Sequence, residues 1–204
     1  MAELKLNIGA GETHIPGFKN IDIAPWADIS LDLNSEPLPF GDSCVDCIFT
    51  YHLLEHLDNY LFALGEMHRV LKHGGRLLVG VPYVSLTQYN LVNPYHRQNF
   101  NEFSFDFFDT EKLKGLAVED NTIMFKKVFH TFNYIGVFNL LPNFLQYFCR
   151  RHLLNVVRSI NFGLLAIKLP YLTIEVQPND ELRLKCEFDD CLKARVKYSK
   201  ERMQ

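Results

Sequence analysis

Leu4-Lys5-Leu6-Asn7-Ile8-Gly9-Ala10-Gly11 decides how the rest of this chain is read. An apolar run ending in Gly-x-Gly has the form of a first β-strand entering a nucleotide-binding turn. Two residues without a Cβ let the backbone turn sharply and come within contact distance of a ligand. Such a turn also arises by chance, so its weight depends on the residues downstream. Phe18 to Ile23 reads as a second strand, reached through Pro16-Gly17, and Ile29 to Leu33 as a short third. Val45 to Thr50 has the continuous apolar character of a parallel strand covered on both faces. From Asp58 to Lys72, Leu61, Leu64, Met67 and Leu71 recur at helical spacing, and His73-Gly74-Gly75 reads as the stop. Arg76 to Val81, closed by Pro82, is a fifth strand. Strand, connection and strand in alternation predict an α/β fold with a Rossmann-like, mostly parallel twisted sheet. Parallel neighbours ordinarily need a crossover of about a dozen residues or more. The link from Gly11 to Phe18 has no room for a helix, so a bare loop is expected there.

The chain of 204 residues is 48% hydrophobic and 22% charged, as an ordinary globular domain is. Most of its 17 Phe and 9 Tyr lie beyond Pro82, which separates a sparse first part from a bulky second one. There, helical segments are expected over Asn99 to Leu116, a strand over Ile123 to Phe132, and a helix over Val137 to Ile160 broken near Pro142. Leu172 to Val176 and Leu182 to Phe188 read as an antiparallel C-terminal hairpin around Pro178-Asn179-Asp180. The whole is expected to be one domain: a cofactor-binding core at 4–82, a helical, aromatic-rich insertion on the acceptor side at 83–170, closing strands at 171–192, and a basic tail at 193–204 that frays. A net charge of −3 offers polyanions no general attraction, so nucleic acid is not an expected partner. No apolar run approaches the roughly 20 residues that span a bilayer. Five cysteines, an odd number without a secretion signal, suggest reduced thiols and a cytoplasmic setting.

Further features come after the glycines in order. Asp22 ends the second strand, where a carboxylate can accept both hydroxyls of a ribose. Asp32-Leu33 ends the third. Leu38-Pro39-Phe40-Gly41-Asp42 leads into Val45-Asp46, Tyr51-His52-Leu53-Leu54-Glu55-His56-Leu57 follows the fourth strand, and Arg69-Val70-Leu71-Lys72-His73-Gly74-Gly75-Arg76 joins helix to strand. This series resembles the class I S-adenosylmethionine-dependent methyltransferases, in particular their compact members, over residues 4 to 82. The resemblance implies S-adenosylmethionine as cofactor, with Gly9 and Gly11 cradling its methionine part and Asp22 on the ribose. It also implies Asp32 and Leu33 at the adenine, and Tyr51 and His52 near the sulfonium; Asn7 and Ile23 are counted with these cofactor residues. The truncated link after Gly11 departs from the family's usual first helix. A nicotinamide-dependent oxidoreductase would show a third glycine where His14 stands and an acidic residue well beyond Asp22.

Methyl transfer asks mostly for alignment, with a base where the acceptor is a hydroxyl. His96, in Asn93-Pro94-Tyr95-His96-Arg97 after the fifth strand, and His56 are the candidate catalytic residues, although His96 reads equally well as a surface-loop histidine. Tyr83, Tyr95, Arg97 and Glu102 are placed to shape an acceptor pocket. His52-Leu53-Leu54-Glu55-His56 also fits the H-x-x-E-H metal pattern. No third ligand is evident downstream, so no metal is expected and Glu55-His56 reads as active-site floor. Cys44 and Cys47 look like half a zinc site, but Cys186 and Cys191 do not repeat the spacing and core cysteines are expected. After the fourth strand there is neither the Asn/Asp-Pro-Pro-aromatic segment used on planar amino nitrogens nor a Pro-Cys nucleophile. A small-molecule acceptor is therefore expected, a saccharide hydroxyl being what the resemblance suggests. The competing hypothesis is an inactive, cofactor-binding scaffold or partner subunit; Asp22, Asp32, Glu55 and His56 argue for activity. The aromatic stretch 137–160 is open to use as a lid, a peripheral membrane contact or a homodimer surface.

Overall fold

The computed structural model describes residues 2–112, 122–171 and 173–197. Its strands are β1 (Lys5–Ile8), β2 (Thr13–His14), β3 (Lys19–Asp22), β4 (Ile29–Ser30), β5 (Val45–Tyr51), β6 (Leu71–Pro82), β7 (Phe125–Tyr134), β8 (Val157–Ala166) and β9 (Val196–Lys197). Its α-helices are α1 (Tyr60–Val70), α2 (Asn143–His152) and α3 (Asp180–Lys193). Seven strands form one sheet in the order β4-β3-β1-β5-β6-β8-β7. β4, β3, β1, β5 and β6 run parallel, and β8 runs antiparallel to both β6 and β7. The chain moves outward from β1 in both directions, so a crevice opens at the carboxyl ends of β1 and β5, where the strand order reverses.

Alternation along the strands builds two cores. Leu6, Ile8, Ile48, Leu77 and Val79 face one, where α1 packs through Ala63, Leu64, Met67 and Val70. Cys47, Phe49 and Leu78 face the other, covered by Leu184, Phe188 and Cys191 of α3. Leu61 is the member of the helical stripe that does not bury; it is 59% exposed. α1 also ends earlier than the glycine signal suggests. Leu71 is already extended and pairs with Val45, so Gly74-Gly75 fall in the irregular start of β6 rather than in a helix cap.

The link from Gly11 to Phe18 is the expected bare loop, for β1 and β3 are parallel neighbours with no helix between them. Asn20 pins it: its Oδ1 accepts the Ile15 N–H at 2.8 Å and the Asn7 side-chain amide at 2.9 Å. The loop is further held by the two-residue β2 within it, which pairs antiparallel with β9. On the sheet face left without a first crossover helix, a cavity of about 530 Å³ lies between this loop and α3, lined among others by Lys5, Phe18, Arg76 and Glu187.

The second half departs further from its sequence reading. The antiparallel strands are β7 and β8, whereas Leu182 to Phe188 lies within α3, where Leu184 and Phe188 share the buried face and Leu182 and Cys186 point outward. Residues 173–176 form no strand, and Leu172 lies outside the described residues. The predicted helix over 137–160 is a 3-10 turn at Gly136–Leu140, then α2, after which Val157 onward is strand. Over the described part of 99–116, turns and a short 3-10 helix at Asp106–Phe108 replace the expected helices; residues 113–116 lie outside the description. The expected fraying of the tail does not begin at Leu192, since Val196–Lys197 is β9; residues 198–204 lie outside the description.

His68 ties α1 to the far edge of the sheet, its Nε2 lying 2.9 Å from the Ile167 carbonyl oxygen. Burial pushes its imidazole below the ordinary value of 6.5, against the raising effect of that carbonyl. Below that pH the unfolded chain takes up a proton that folded His68 resists, so acidification favours unfolding. We expect the melting temperature to fall between pH 7.5 and 5.5, and the His68→Gln variant to show a flatter profile. Equal slopes in the two proteins would show that His68 does not set this dependence.

Candidate active site

The carboxyl edge of the sheet gathers most of the sequence-predicted residues. Gly9 and Gly11 adopt φ of +74° and +57°, a region that residues with a Cβ avoid. A Cβ on Gly9 would stand 2.7 Å from Leu53 Cβ, while nothing lies within 4 Å of one on Gly11. The backbone at Gly11 therefore borders open space. Asp22 faces the same turn: its Oδ2 accepts the Gly11 N–H at 2.8 Å and its Oδ1 the Ala24 N–H at 3.0 Å. An ionised carboxylate offers about four acceptor positions, so two bonds leave room for a diol. Trp26 donates its indole N–H to the Gly11 carbonyl at 2.9 Å and closes the side of the turn. Nothing in the sequence marks that role beyond its being the chain's single tryptophan.

Other predicted cofactor residues are placed differently. Asn7 is buried beneath the edge with its amide on Asn20, because its strand position faces the loop that replaces the first helix. Leu33 is 4% exposed and belongs to the main core. Asp32 caps its own turn, accepting the Asn34 N–H at 3.0 Å and the Ser35 hydroxyl at 3.1 Å. Ile23, at the end of β3, is 69% exposed and leaves an apolar surface beside Asp22. The Tyr51 ring turns to the α3 face, against Phe49 and Phe188, with the Arg195 guanidinium 5.0 Å from its centroid.

After β5 the backbone makes a sharp change at His52, whose φ is +56°. A side-chain-bearing residue held in this region carries strain, which concentrates at functional sites. The turn brings the His52 Nδ1 to within 2.9 Å of Glu55 Oε1. Glu55 is 1% exposed, and its other carboxylate oxygen has no hydrogen-bond partner among the described residues. The loop bearing His96 docks on this segment, with the Arg97 N–H donating to the Glu55 carbonyl at 2.6 Å. As a result the His56 and His96 rings meet edge to face, their centroids 4.7 Å apart. Burial and the neighbouring His56 hold the His96 imidazole below the usual histidine range. The two candidate bases are thus adjacent, beside a buried carboxylate.

Of the residues assigned to the acceptor pocket, Tyr83 donates its hydroxyl to Glu102 at 2.8 Å. The Arg150 guanidinium lies over Phe132, 3.9 Å from its centroid, and donates to the Tyr134 hydroxyl at 2.8 Å. Although it lies in the last turn of the otherwise surface-facing α2, Arg150 is turned inward, its side chain 10% exposed. Tyr95 is 71% exposed, and Arg97 pairs with Asp58 at 2.8 Å on the surface. Cys47 is buried in the sheet, as expected of a core cysteine. The Leu38–Asp42 and Arg69 motifs prove to be structural. Arg69 pairs with Glu66 and Asp42 and donates to the Phe40 and Leu38 carbonyls, which fastens the loop before β5 to α1.

A sheet of this strand order, with β8 reversed and a glycine turn facing a carboxylate at the switch point, defines the class I methyltransferase fold. Comparison with known proteins agrees. Residues 22–79 match the family model described as a methyltransferase domain. Ubiquinone/menaquinone biosynthesis C-methyltransferase UbiE of Haemophilus ducreyi is 36% identical over 87 residues, covering 43% of this chain and 30% of that protein. The UbiE of Klebsiella pneumoniae is 50% identical over 46 residues, covering 22% of this chain and 18% of its own length. The matched stretches therefore span less than a third of these curated relatives. Among solved structures, the Haloferax volcanii methyltransferase in complex with the Trm112 activator superposes with a TM-score of 0.54 at 14% identity, covering 86% of this chain and 84% of that one. A S-adenosylmethionine-dependent methyltransferase from Archaeoglobus fulgidus gives 0.53 at 14% identity over 80% and 86%. Residues 22–79 thus resemble a methyltransferase domain, and the sheet has the fold of S-adenosylmethionine-dependent methyltransferases; the open, glycine-lined edge and the spare acceptor positions of Asp22 leave room for that cofactor.

Proposed function

We propose that this chain transfers a methyl group from S-adenosylmethionine to a hydroxyl of a small molecule, a saccharide being the acceptor class we favour. The observation that carries this reading is the segment Tyr51 to His56, which joins the glycine turn to the paired histidines. Leu53 packs on Gly9, while Glu55 and His56 reach the loop of His96. When bound, the cofactor supplies a methyl group already activated on a sulfonium. The protein's part is then to hold it, to exclude water and to take charge of the acceptor's proton. Asp22 and the Gly9–Gly11 turn hold the adenosine and amino-acid ends. The cluster of Glu55, His56 and His96 receives the acceptor oxygen and its proton. This ordered arrangement speaks against a mere scaffold. A second reading, methylation at carbon, is favoured by the identity to proteins named C-methyltransferases.

The face beside this edge bears on how an acceptor arrives. Residues 136–154 expose Val137, Leu140, Phe144, Phe148 and Leu154 on the surface, with Arg151 and His152 at the end of α2. No helix among the described residues is long and apolar enough to cross a membrane. An apolar face ending in cationic groups suits contact with an anionic bilayer surface. We therefore read the acceptor as one that can be presented at such a surface, in a reducing cytoplasmic setting that suits the five free cysteines.

The test is a titration with S-adenosylmethionine, then a screen of sugars, nucleotide sugars, oligosaccharides, phenols and quinols for cofactor-dependent gain of one methyl group. Each acceptor is offered free and in anionic vesicles. Methylation of a saccharide oxygen is the expected result, while a carbon-methylated quinol would move the assignment to the second reading. Failure to bind the cofactor would overturn both. Dimerisation without vesicle binding would reassign the 136–154 face to pairing of two copies.

A further inference from the structure

We propose that Glu55, His56 and His96 form a binding site for one divalent transition-metal cation of the zinc type. A carboxylate oxygen of Glu55 and one ring nitrogen each of His56 and His96 lie within 4.8 Å of one another. The hydrogen bonds around these groups leave the right electron pairs free. The His56 Nδ1 lies 3.3 Å from the Tyr95 carbonyl oxygen, which can only accept, so the ring proton sits on Nδ1 and Nε2 keeps its lone pair. The His96 Nδ1 lies 2.8 Å from Asn90 Oδ1. Asn90 spends its amide on Asn99 at 3.0 Å, so its oxygen accepts from His96 and that ring has the same tautomer. Oxygen acceptors behind imidazole ligands are the arrangement that orients metal-bound histidines. On the carboxylate, Oε1 is taken by His52, whereas Oε2 is buried with no partner among the described residues. A buried, unpartnered carboxylate oxygen is costly and calls for a cation or another donor.

The H-x-x-E-H pattern points to His52, Glu55 and His56, and its weakness is the lack of a further ligand. The fold supplies His96 from the loop after β6 and withdraws His52, whose strained backbone turns its ring to the far oxygen of Glu55. Two imidazole nitrogens and one carboxylate favour zinc-like cations over magnesium or calcium, which prefer all-oxygen sites. Three protein ligands leave coordination positions open for an acceptor oxygen, and cation and acceptor proton would compete for the same imidazole lone pairs, so the histidines act as bases only in the metal-free site. That role rests on the methyltransferase reading; the binding of the cation does not.

The experiment is equilibrium binding of Zn²⁺ and Mg²⁺ to the metal-stripped full chain, with Co²⁺ absorption as a report on coordination. We expect one Zn²⁺ per chain, no comparable Mg²⁺ binding, and Co²⁺ bands of a nitrogen/oxygen site. His96→Ala and His56→Ala should each weaken Zn²⁺ binding by well over a hundredfold, beyond the roughly 10–100-fold that loss of an outer-shell partner produces. His73→Ala, on the surface against Tyr171, should leave it unchanged. Circular dichroism and melting confirm that the variants fold. No zinc binding by the folded chain, or equal binding by the His56 and His96 variants, would overturn the site. S-adenosylmethionine titration of the same samples separates the two questions. Cofactor binding without zinc binding rejects the metal site alone, and zinc binding without cofactor binding rejects the methyltransferase reading alone.

Discussion

Replacing Asp22 with alanine should lower the affinity for S-adenosylmethionine by about a hundredfold or more, on the basis that each hydrogen bond to a charged group contributes roughly 1.5–3 kcal/mol. The carboxylate has a double task. Its two oxygens already hold the Gly11 and Ala24 N–H groups, which sets the shape of the turn, and in the proposed function their remaining lone pairs accept from a ribose diol. Alanine removes the acceptors for both the ligand and the turn. Loss of the backbone bonds alone should cost no more than about 2 kcal/mol of stability, because the turn is partly exposed and water can replace the acceptor. Asparagine keeps one oxygen and should give an intermediate affinity, since it cannot accept from both N–H groups and from ribose as well. Calorimetric titration of the three proteins, with melting curves as a control on folding, decides the matter. An unchanged dissociation constant in Asp22→Ala would remove Asp22 from the cofactor site and leave it a turn residue.

Much of the cofactor half is legible because its signals are local. β1, β3, β4, β5 and β6 fall on the segments read as strands, with stops at Gly9 after β1, Asp22 in β3 and Pro82 in β6, and the helix-free first crossover comes from the shortness of the link after Gly11. The second half is harder because its decisive contacts are between distant segments. β8 is almost wholly buried between β6 and β7, so it lacks the alternation that marks a half-exposed strand, and its aromatic neighbours blur into α2. α3 reads locally as Leu, Cys and Phe at strand-like spacing; only its packing on Phe49 and Leu78 shows the helical stripe. The site divides in the same way. Gly9, Gly11 and Asp22 are near in sequence, so their meeting at one turn is legible from it. The meeting of His56 with His96 depends on the loop after β6 bonding to the Glu55 carbonyl, a contact that no spacing rule encodes. Asn7 and Leu33 show what sequence adjacency leaves out: both adjoin candidate site residues, but the pleat and the chain path turn their side chains inward.

Gly9→Ala should destabilise the fold by about 2–5 kcal/mol and, with it, loosen the glycine turn. Holding alanine at a left-handed φ costs about 1–2 kcal/mol, and forcing an extra carbon into packed surroundings about 1–3 kcal/mol. For a domain of this size the melting temperature should fall by roughly 10 °C. Gly11→Ala separates the two causes. It meets a similar φ penalty but faces open space, so its loss should be limited to the backbone contribution. The clash at Gly9 is with Leu53, whose Cβ, Cγ and Cδ2 would lie 2.7, 3.0 and 2.9 Å from the new methyl. Leu53→Ala removes Cγ and both Cδ carbons and leaves Cβ, the closest one. The double variant Gly9→Ala/Leu53→Ala should therefore be less destabilised than the sum of its single changes but not restored to the parent, as expected for residues in contact. Strict additivity would mean that the segment after β5 does not rest on the glycine turn, and the link from cofactor edge to histidine pair would have to be carried by other residues.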